Sequence, residues 1–323
     1  MKITTTLHNL GVSNRLVYGC MGLGGGWNNQ AISDQDIKQA HEVIDVALEA
    51  GIQLFDHADI YTFNKAEQVF GKVIKQRPEL LEQIVLQSKC GIRFEDDAGP
   101  KRYDFSKEWI ESSVKGILKR LNIEQLPILL LHRPDPLMDS MELSDTLNTL
   151  QQQGLVGHFG VSNMSSHQMK SLQRNLNTPL VINQLELSLS KLDWLEQSVT
   201  SNVGSKVEHS FPIGTLEYCQ DNEVQLQSWG SLSQGMFTGS SVANGNEDIK
   251  NTANLVKLIA KEQGVSPEAI ILAWVMKHPA NVMPIIGTTN CQRIKACQQA
   301  LQVELSREQW YQLYVSSRGQ ELP

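Results

Sequence analysis

Within the seven residues FDHADIY, positions 55–61, stand two aspartates, a histidine and a tyrosine. Such a set serves proton transfer, metal ligation or the polar capping of a loop. Two later apolar runs end in the same manner: IVLQSK closes on Lys89 and ILLLH on His132. Asp56, Lys89 and His132 thus end successive runs at one register, with Tyr61 one short turn beyond the first. If these runs are neighbouring parallel strands, about 4.8 Å apart, the four side chains converge.

A tyrosine ionises near pH ~10 in the open chain, so it is a poor acid at neutral pH unless a cation lowers that value. Lys89, paired with Asp56, is expected to supply the cation. His132 is expected to donate a hydrogen bond to a carbonyl oxygen and orient it toward Tyr61. This assembly suits protonation of an oxygen that gains charge, as when a carbonyl carbon accepts hydride. A metal-dependent hydrolase built from Asp56, His57, Asp59 and His132 is the weaker reading. Successive strand residues face opposite sides, so His57 points away from Asp56, and the sequence has no H-x-H or H-x-x-x-H pair. No metal is therefore expected.

Candidate strands lie at 15–23, 53–58, 84–90, 128–132, 158–163, 181–187, 224–229 and 282–287. Several are continuously apolar, as strands covered on both faces are. Helical periodicity appears between them, as in Ser33–Ala50 with Ile37, Ala40, Ile44 and Ala47, and in Ser106–Leu121 with Ile110, Val114, Ile117 and Leu121. Residues 141–150, 165–172, 248–263 and 291–301 read similarly. Eight strands, most followed by a helix, predict an α/β fold, a single (β/α)8 TIM barrel; a doubly wound open sheet is the alternative. ITTTLHNLGVSN is expected to form a short N-terminal β-hairpin, and SPEAIILAWVMKHP (266–279) an extra amphipathic helix near the C-terminus. No linker or low-complexity tract interrupts the chain, so one domain spans 1–323.

The composition is that of an ordinary soluble globular protein, 41% hydrophobic and 20% charged. A net charge of −7, without a Lys/Arg block, argues against a nucleic-acid partner. No apolar run is long enough for a membrane span, and the N-terminus lacks a secretory h-region. The five scattered cysteines contain no CxxC, which favours reduced thiols and a cytoplasmic protein. No obligate protein partner is evident.

The ordered blocks DHADIY, SKCG, LLLHRPD, HFGVSN and PIIGTTN resemble the signatures of the aldo-keto reductase superfamily, and YTFNKAEQVFG adds that family's glutamate and glycine as Glu67 and Gly71. The resemblance covers essentially the whole chain. It implies a barrel that binds NADPH without a Rossmann domain and reduces a small-molecule carbonyl to an alcohol. Asp56, Tyr61, Lys89 and His132 match the family's catalytic tetrad, with Tyr61 as general acid; His57 and Asp59 lie outside it, and Asp59 reads as structural. Some proteins resembling this family are channel-associated subunits, so a non-enzymatic NADPH-binding regulator is the second reading.

GLGGGW at 22–27 fails the dinucleotide fingerprint G-x-G-x-x-G because Trp27 takes the last glycine position. The resemblance implies instead that this loop lies beside the nicotinamide and that Trp27 lines the substrate pocket with Tyr61 and His132. It places Ser162, Asn163 and Gln184 at the carboxamide and Trp229 against the ring, and it adds Met21, Asp56, Ser231, Leu232, Gly235, Gly287, Thr288, Thr289, Arg293 and Cys297 to the cofactor site. A helix N-terminus at GTTNCQR favours a phosphate, and Arg293 suits a 2′-phosphate. The chain departs from the family's pattern at Gly230-Ser231-Leu232-Ser233, where S-P-L-G is usual. It departs again at Thr288 and Thr289, which replace a basic residue, and at Cys297, where an asparagine is common. Substrate choice is expected to reside in the loops 94–105 and 187–223 and in the tail YVSSRGQELP.

Overall fold

The computed structural model describes residues 3–203, 210–239 and 245–323; the 204–209 part of the predicted 187–223 loop lies outside the described residues. Eight strands form the barrel: β1 (Val17–Gly19), β2 (Leu54–Asp56), β3 (Val85–Cys90), β4 (Leu126–Leu131), β5 (Val156–Ser162), β6 (Leu180–Glu186), β7 (Gln225–Trp229) and β8 (Met283–Ile286). They pair in parallel in the closed order β1-β8-β7-β6-β5-β4-β3-β2. The chain is a (β/α)8 TIM barrel.

The strands are nearly continuously buried because the lumen packs one face and a ring of helices the other. Val17, Leu54, Val85, Ile128, Ile182 and Met283 form a lumen cluster separate from the larger strand–helix core. The helices begin where serines permit: Ser33 and Ser306 form capping boxes with Asp36 and Gln309, and Ser106 caps Lys107–Leu121.

Three expectations change. The N-terminal hairpin is a short helix, Thr5–Asn9. Local bonds, such as Leu10 N–H to the Thr6 carbonyl, close the turn and let Leu7 and Val12 plug the lumen from one side. Thr4 N–H reaches the side chain of Gln225 at the start of β7, which places this plug at the barrel floor. The extra helix, Pro267–Lys277, is buried from Ala269 to Met276 rather than amphipathic. Helices Glu247–Gln263 and Arg307–Arg318 pack around it, and Trp274 stacks on Trp310 at 5.1 Å, each indole N–H donating to the other's carbonyl at 3.0 Å. Much of the supposed loop-like C-terminal tail belongs to Arg307–Arg318, where Arg318 pairs with Glu196 at 2.8 Å.

Candidate active site

Backbone register brings the predicted residues to one end of the barrel. Asp56 ends β2 opposite Gly19 on one side and Gln87 on the other. Lys89 lies two residues beyond Gln87 on the same inward face, and His132 follows β4, its N–H bonded to the Cys90 carbonyl at 2.9 Å. Tyr61 enters through an unusual turn. Thr62, Phe63 and Asn64 have φ of 48°, 57° and 68°, a left-handed run that costs about 1–2 kcal/mol per non-glycine residue. Thr62 Oγ1 donates to the Leu23 carbonyl at 2.9 Å and the Asn64 side chain to the Asp59 carbonyl, tying the turn to the β1 loop and to its own base.

Lys89 Nζ is fully buried. It lies 2.7 Å from both Asp56 oxygens, 2.8 Å from the His57 carbonyl and 3.1 Å from the Tyr61 hydroxyl. Burial pulls the Lys89 pKa down, but Asp56 and Tyr61 outweigh it, so the ammonium is held charged above its usual value. Lys89 alone does not bring Tyr61 below its ordinary pKa. Burial lifts the phenol and Lys89 offsets this only in part, so Tyr61 stays protonated at neutral pH. The His132 ring stands edge-on to Tyr61 with centroids 6.1 Å apart. Burial, followed by Lys89, Arg133 and Lys101, drives its pKa well below the usual value, so the imidazole is neutral.

The other titratable groups of FDHADIY turn outward into the wall. His57 is fully buried against Phe70, with ring centroids 4.7 Å apart and neither nitrogen hydrogen-bonded among the described residues; burial pushes its pKa down to about 3. Asp59 is buried beside Glu67, and desolvation raises it to about 8, so it carries a proton at neutral pH. Glu67 accepts from Ser88 Oγ and from Arg120 Nε, the latter at 2.7 Å. Among the described residues no three His, Cys, Asp or Glu side chains are grouped to hold a metal ion.

Ser162 and Asn163 stand at the end of β5. Ser162 Oγ donates to the Gln184 carbonyl at 3.0 Å, and Asn163 Nδ2 to Ser162 Oγ at 2.7 Å. Asn163, with φ at 58°, accepts the Trp229 indole N–H on Oδ1 at 3.1 Å. Arg133 lies over the Trp229 ring, 5.7 Å from its centroid. Gln184 donates to Asp56 Oδ1 and to Gln227 Oε1, both at 3.0 Å. Gln87 and Gln227 are site residues that sequence reasoning missed; Gln87 shares the inward face of β3 with Lys89, which was the available signal.

The outer part of the predicted cofactor site is less uniform. Met21 is half exposed and Leu232 partly buried, while Gly235 ends a tight turn with φ +79°. The Ser231 hydroxyl is buried and spent on the Ser228 carbonyl at 2.8 Å. Gly287 and Arg293 are exposed and Thr288 and Thr289 half-buried, with the Thr288 carbonyl accepting from Tyr18. Asn290 already caps the helix Cys291–Gln298 by accepting from Gln292 N–H and Arg293 N–H. The Cys297 side chain is fully buried on the core side of that helix.

Around the mouth, Trp27 meets Phe63 edge-on at 5.4 Å, and Phe63 meets Phe94 at 5.5 Å. The predicted loop 94–105 folds back as an antiparallel ribbon, Ile92–Arg93 with Arg102–Tyr103. Asp96 pairs with Arg93 at 2.6 Å and with Arg102 at 3.0 Å.

Residues 15–315 match the model of the Aldo/keto reductase family. The chain belongs to this family. Over 96% of both chains it is 33% identical to a 6-dehydroglucose reductase of Agrobacterium fabrum, and with the same coverage 32% identical to an uncharacterized oxidoreductase, YcsN, of Bacillus subtilis. An aldo-keto reductase from Klebsiella pneumoniae, solved in complex with NADPH, shares the fold with a TM-score of 0.69 at 19% identity, over 97% of this chain and 94% of that one. The chain is thus an oxidoreductase on the aldo/keto reductase barrel. Among its described residues no helix is long and apolar enough to cross a membrane.

Proposed function

We propose that this oxidoreductase uses NADPH to reduce an aldehyde or ketone to an alcohol, with Tyr61 as the proton donor. The observation that carries the reading is Lys89 Nζ, shared between the Asp56 carboxylate and the Tyr61 hydroxyl. When bound, the nicotinamide supplies hydride to the carbonyl carbon. Tyr61 gives its proton to the carbonyl oxygen as charge develops there, and Lys89 stabilises the phenolate left behind. Asp56 holds Lys89 in place, and neutral His132 keeps an N–H to orient the same oxygen.

The mouth fits a nicotinamide dinucleotide. Trp229 offers a half-buried ring whose one polar atom is tied to Asn163 and over one face of which Arg133 lies, leaving the other face for stacking. The N–H groups of Gln184 are committed inward, while no bond to Gln184 Oε1 occurs among the described residues; that oxygen suits the N–H₂ of a carboxamide. Exposed Arg293, at the start of the last barrel helix, is suited to a 2′-phosphate.

The test is quenching of tryptophan fluorescence on titration with NADPH and NADH, beside Arg293→Ala, followed by NADPH consumption with a panel of carbonyls. The compound in the Agrobacterium relative's name, 6-dehydroglucose, heads that panel. Tyr61→Phe should bind NADPH like the parent and lose roughly 100-fold or more of turnover. A fully active variant overturns the assignment. Nucleotide binding with no carbonyl reduced would instead favour a non-enzymatic NADPH-binding regulator.

A further inference from the structure

The interior of a barrel of this kind is usually filled by branched aliphatic side chains. Here the layer beneath the tetrad is polar. Gln87, Gln184 and Gln227 are each no more than 2% exposed. Asp56 and Gln87 are register partners on β2 and β3, and Gln184 and Gln227 on β6 and β7. In the closed strand order β2 stands opposite β6, and β3 opposite β7. Two adjacent pairs therefore face each other across the lumen.

Buried amides are tolerated when they find partners, and here the three bond to one another and to Asp56. Gln87 and Gln227 exchange bonds, Nε2 to Oε1, at 2.8 and 2.9 Å. Gln227 Oε1 also accepts from Gln184 Nε2 at 3.0 Å. The second hydrogens of Gln87 and Gln184 go to one atom, Asp56 Oδ1, at 2.6 and 3.0 Å. The same oxygen lies 2.7 Å from Lys89 Nζ. One carboxylate oxygen thus takes three donors, two of them amides that spread its charge. The less charge Asp56 presents to Lys89, the more of the ammonium's field reaches the Tyr61 hydroxyl 3.1 Å away.

We propose that Gln87 and Gln227 are positioning residues that keep Tyr61 acidic. Through Asp56 they govern how far Lys89 is neutralised, and Gln227 also fixes the Gln184 amide between the proton donor and the nicotinamide site. The proposal rests on Tyr61 being the general acid.

The variants are Gln87→Met, Gln227→Met and the pair together. The double variant removes both halves of the Gln87–Gln227 exchange and frees only the Gln184 hydrogen that Gln227 had accepted, so thermal stability is read beside the kinetics. In carbonyl reduction, the alkaline limb of kcat should move up by about half a pH unit or more and kcat at neutral pH fall roughly tenfold, with KM for NADPH changing less than about twofold in Gln87→Met, where Gln184 stays tied to Gln227. An unmoved limb overturns the proposal, whether kcat is intact or falls only alongside thermal stability.

If the parent reduces no carbonyl, the functional reading fails separately. The glutamines are then judged on ionisation of Tyr61 itself, from the tyrosinate absorbance of each protein minus that of its Tyr61→Phe counterpart. An upward displacement in the glutamine variants supports the proposal, and an unchanged titration overturns it.

Discussion

The indole N–H of Trp229 donates to Asn163 Oδ1 at 3.1 Å, which fixes the ring's rotation by its only polar atom. Asn163 accepts this bond from a left-handed conformation at the end of β5, so a polar side chain and a backbone turn jointly set one aromatic plane. Replacing Trp229 by Leu should weaken NADPH about three- to tenfold, the worth of one aromatic stack. Trp229→Phe should keep most of the stacking and lose the tether, giving a smaller effect. Titration followed by calorimetry decides the matter, because the usual fluorescence signal is altered in both variants. Equal affinity in all three proteins would remove Trp229 from the cofactor site.

Lys89 and Asp56 form a buried ion pair, so removing one charge differs from removing both. Lys89→Met leaves a carboxylate with amide donors but no counter-ion and should destabilise the fold by about 3 kcal/mol. Asp56→Asn combined with Lys89→Met should recover much of that loss, since no unpaired charge remains. Turnover should stay at least ~100-fold down in both. Urea unfolding beside the carbonyl assay separates the two effects. A single variant as stable as the parent, or a double variant that regains activity, contradicts the pairing.

How far this site was readable follows from what each residue does in the chain. Asp56, Lys89 and His132 were legible because each ends an apolar run, and the register of parallel strands converts that position into convergence. The barrel was legible for the same reason, since strands covered on both faces leave continuous apolar runs. Gln227 was not, and Gln87 only through the face of β3 that it shares with Lys89. They interrupt such runs, and their partners lie across the lumen 140 positions apart in sequence. The helix Thr5–Asn9 is too short to show a period. Ser306 and Gln309 did carry a capping box for Arg307–Arg318, and the run AIILAWVM already lacked the polar face of an amphipathic helix. Family register fixes the position of Cys297 in the chain but not the side of the helix it faces, which the fold turns toward the core.

His57 gives the fold a defined sensitivity to acid. Its pKa falls from 6.5 to about 3 on burial. The neutral ring is therefore fully accommodated above pH 6.5, and stability is lost as pH falls from there toward about 3. Each pH unit in that window removes about 1.4 kcal/mol. His57→Leu abolishes the titration and strands no hydrogen-bond partner, since among the described residues neither ring nitrogen has one. The variant should be more stable than the parent by about 2 kcal/mol at pH ~5, with the gap closing near neutrality. Asp59 imposes the opposite slope between its ordinary pKa of 3.8 and about 8, but it is present in both proteins and cancels from the difference. Chemical unfolding at a series of pH values measures that difference directly. A gap that does not change with pH would show that His57 titrates normally in the fold.

Gly71 sits where the helix Lys65–Gln76 crosses the end of Lys107–Leu121. A Cβ at this position would lie 1.9 Å from the Arg120 carbonyl oxygen and 2.9 Å from the carbonyl carbons of Arg120 and Leu121. These are backbone atoms and cannot swing aside as a side chain can. Alanine in a helix interior is ordinarily favoured over glycine by about 1 kcal/mol, but here the helices must separate to admit it. Separation also strains the Arg120 Nε to Glu67 bond, which spans the same crossing and compensates a buried carboxylate. Overpacking and the weakened pair should together exceed the propensity gain and leave Gly71→Ala less stable by about 2–3 kcal/mol. The thermal midpoint should drop by several degrees, by differential scanning calorimetry, at unchanged cofactor affinity per folded molecule. A midpoint at or above the parent's would mean that the two helices can part at this crossing without loss of packing.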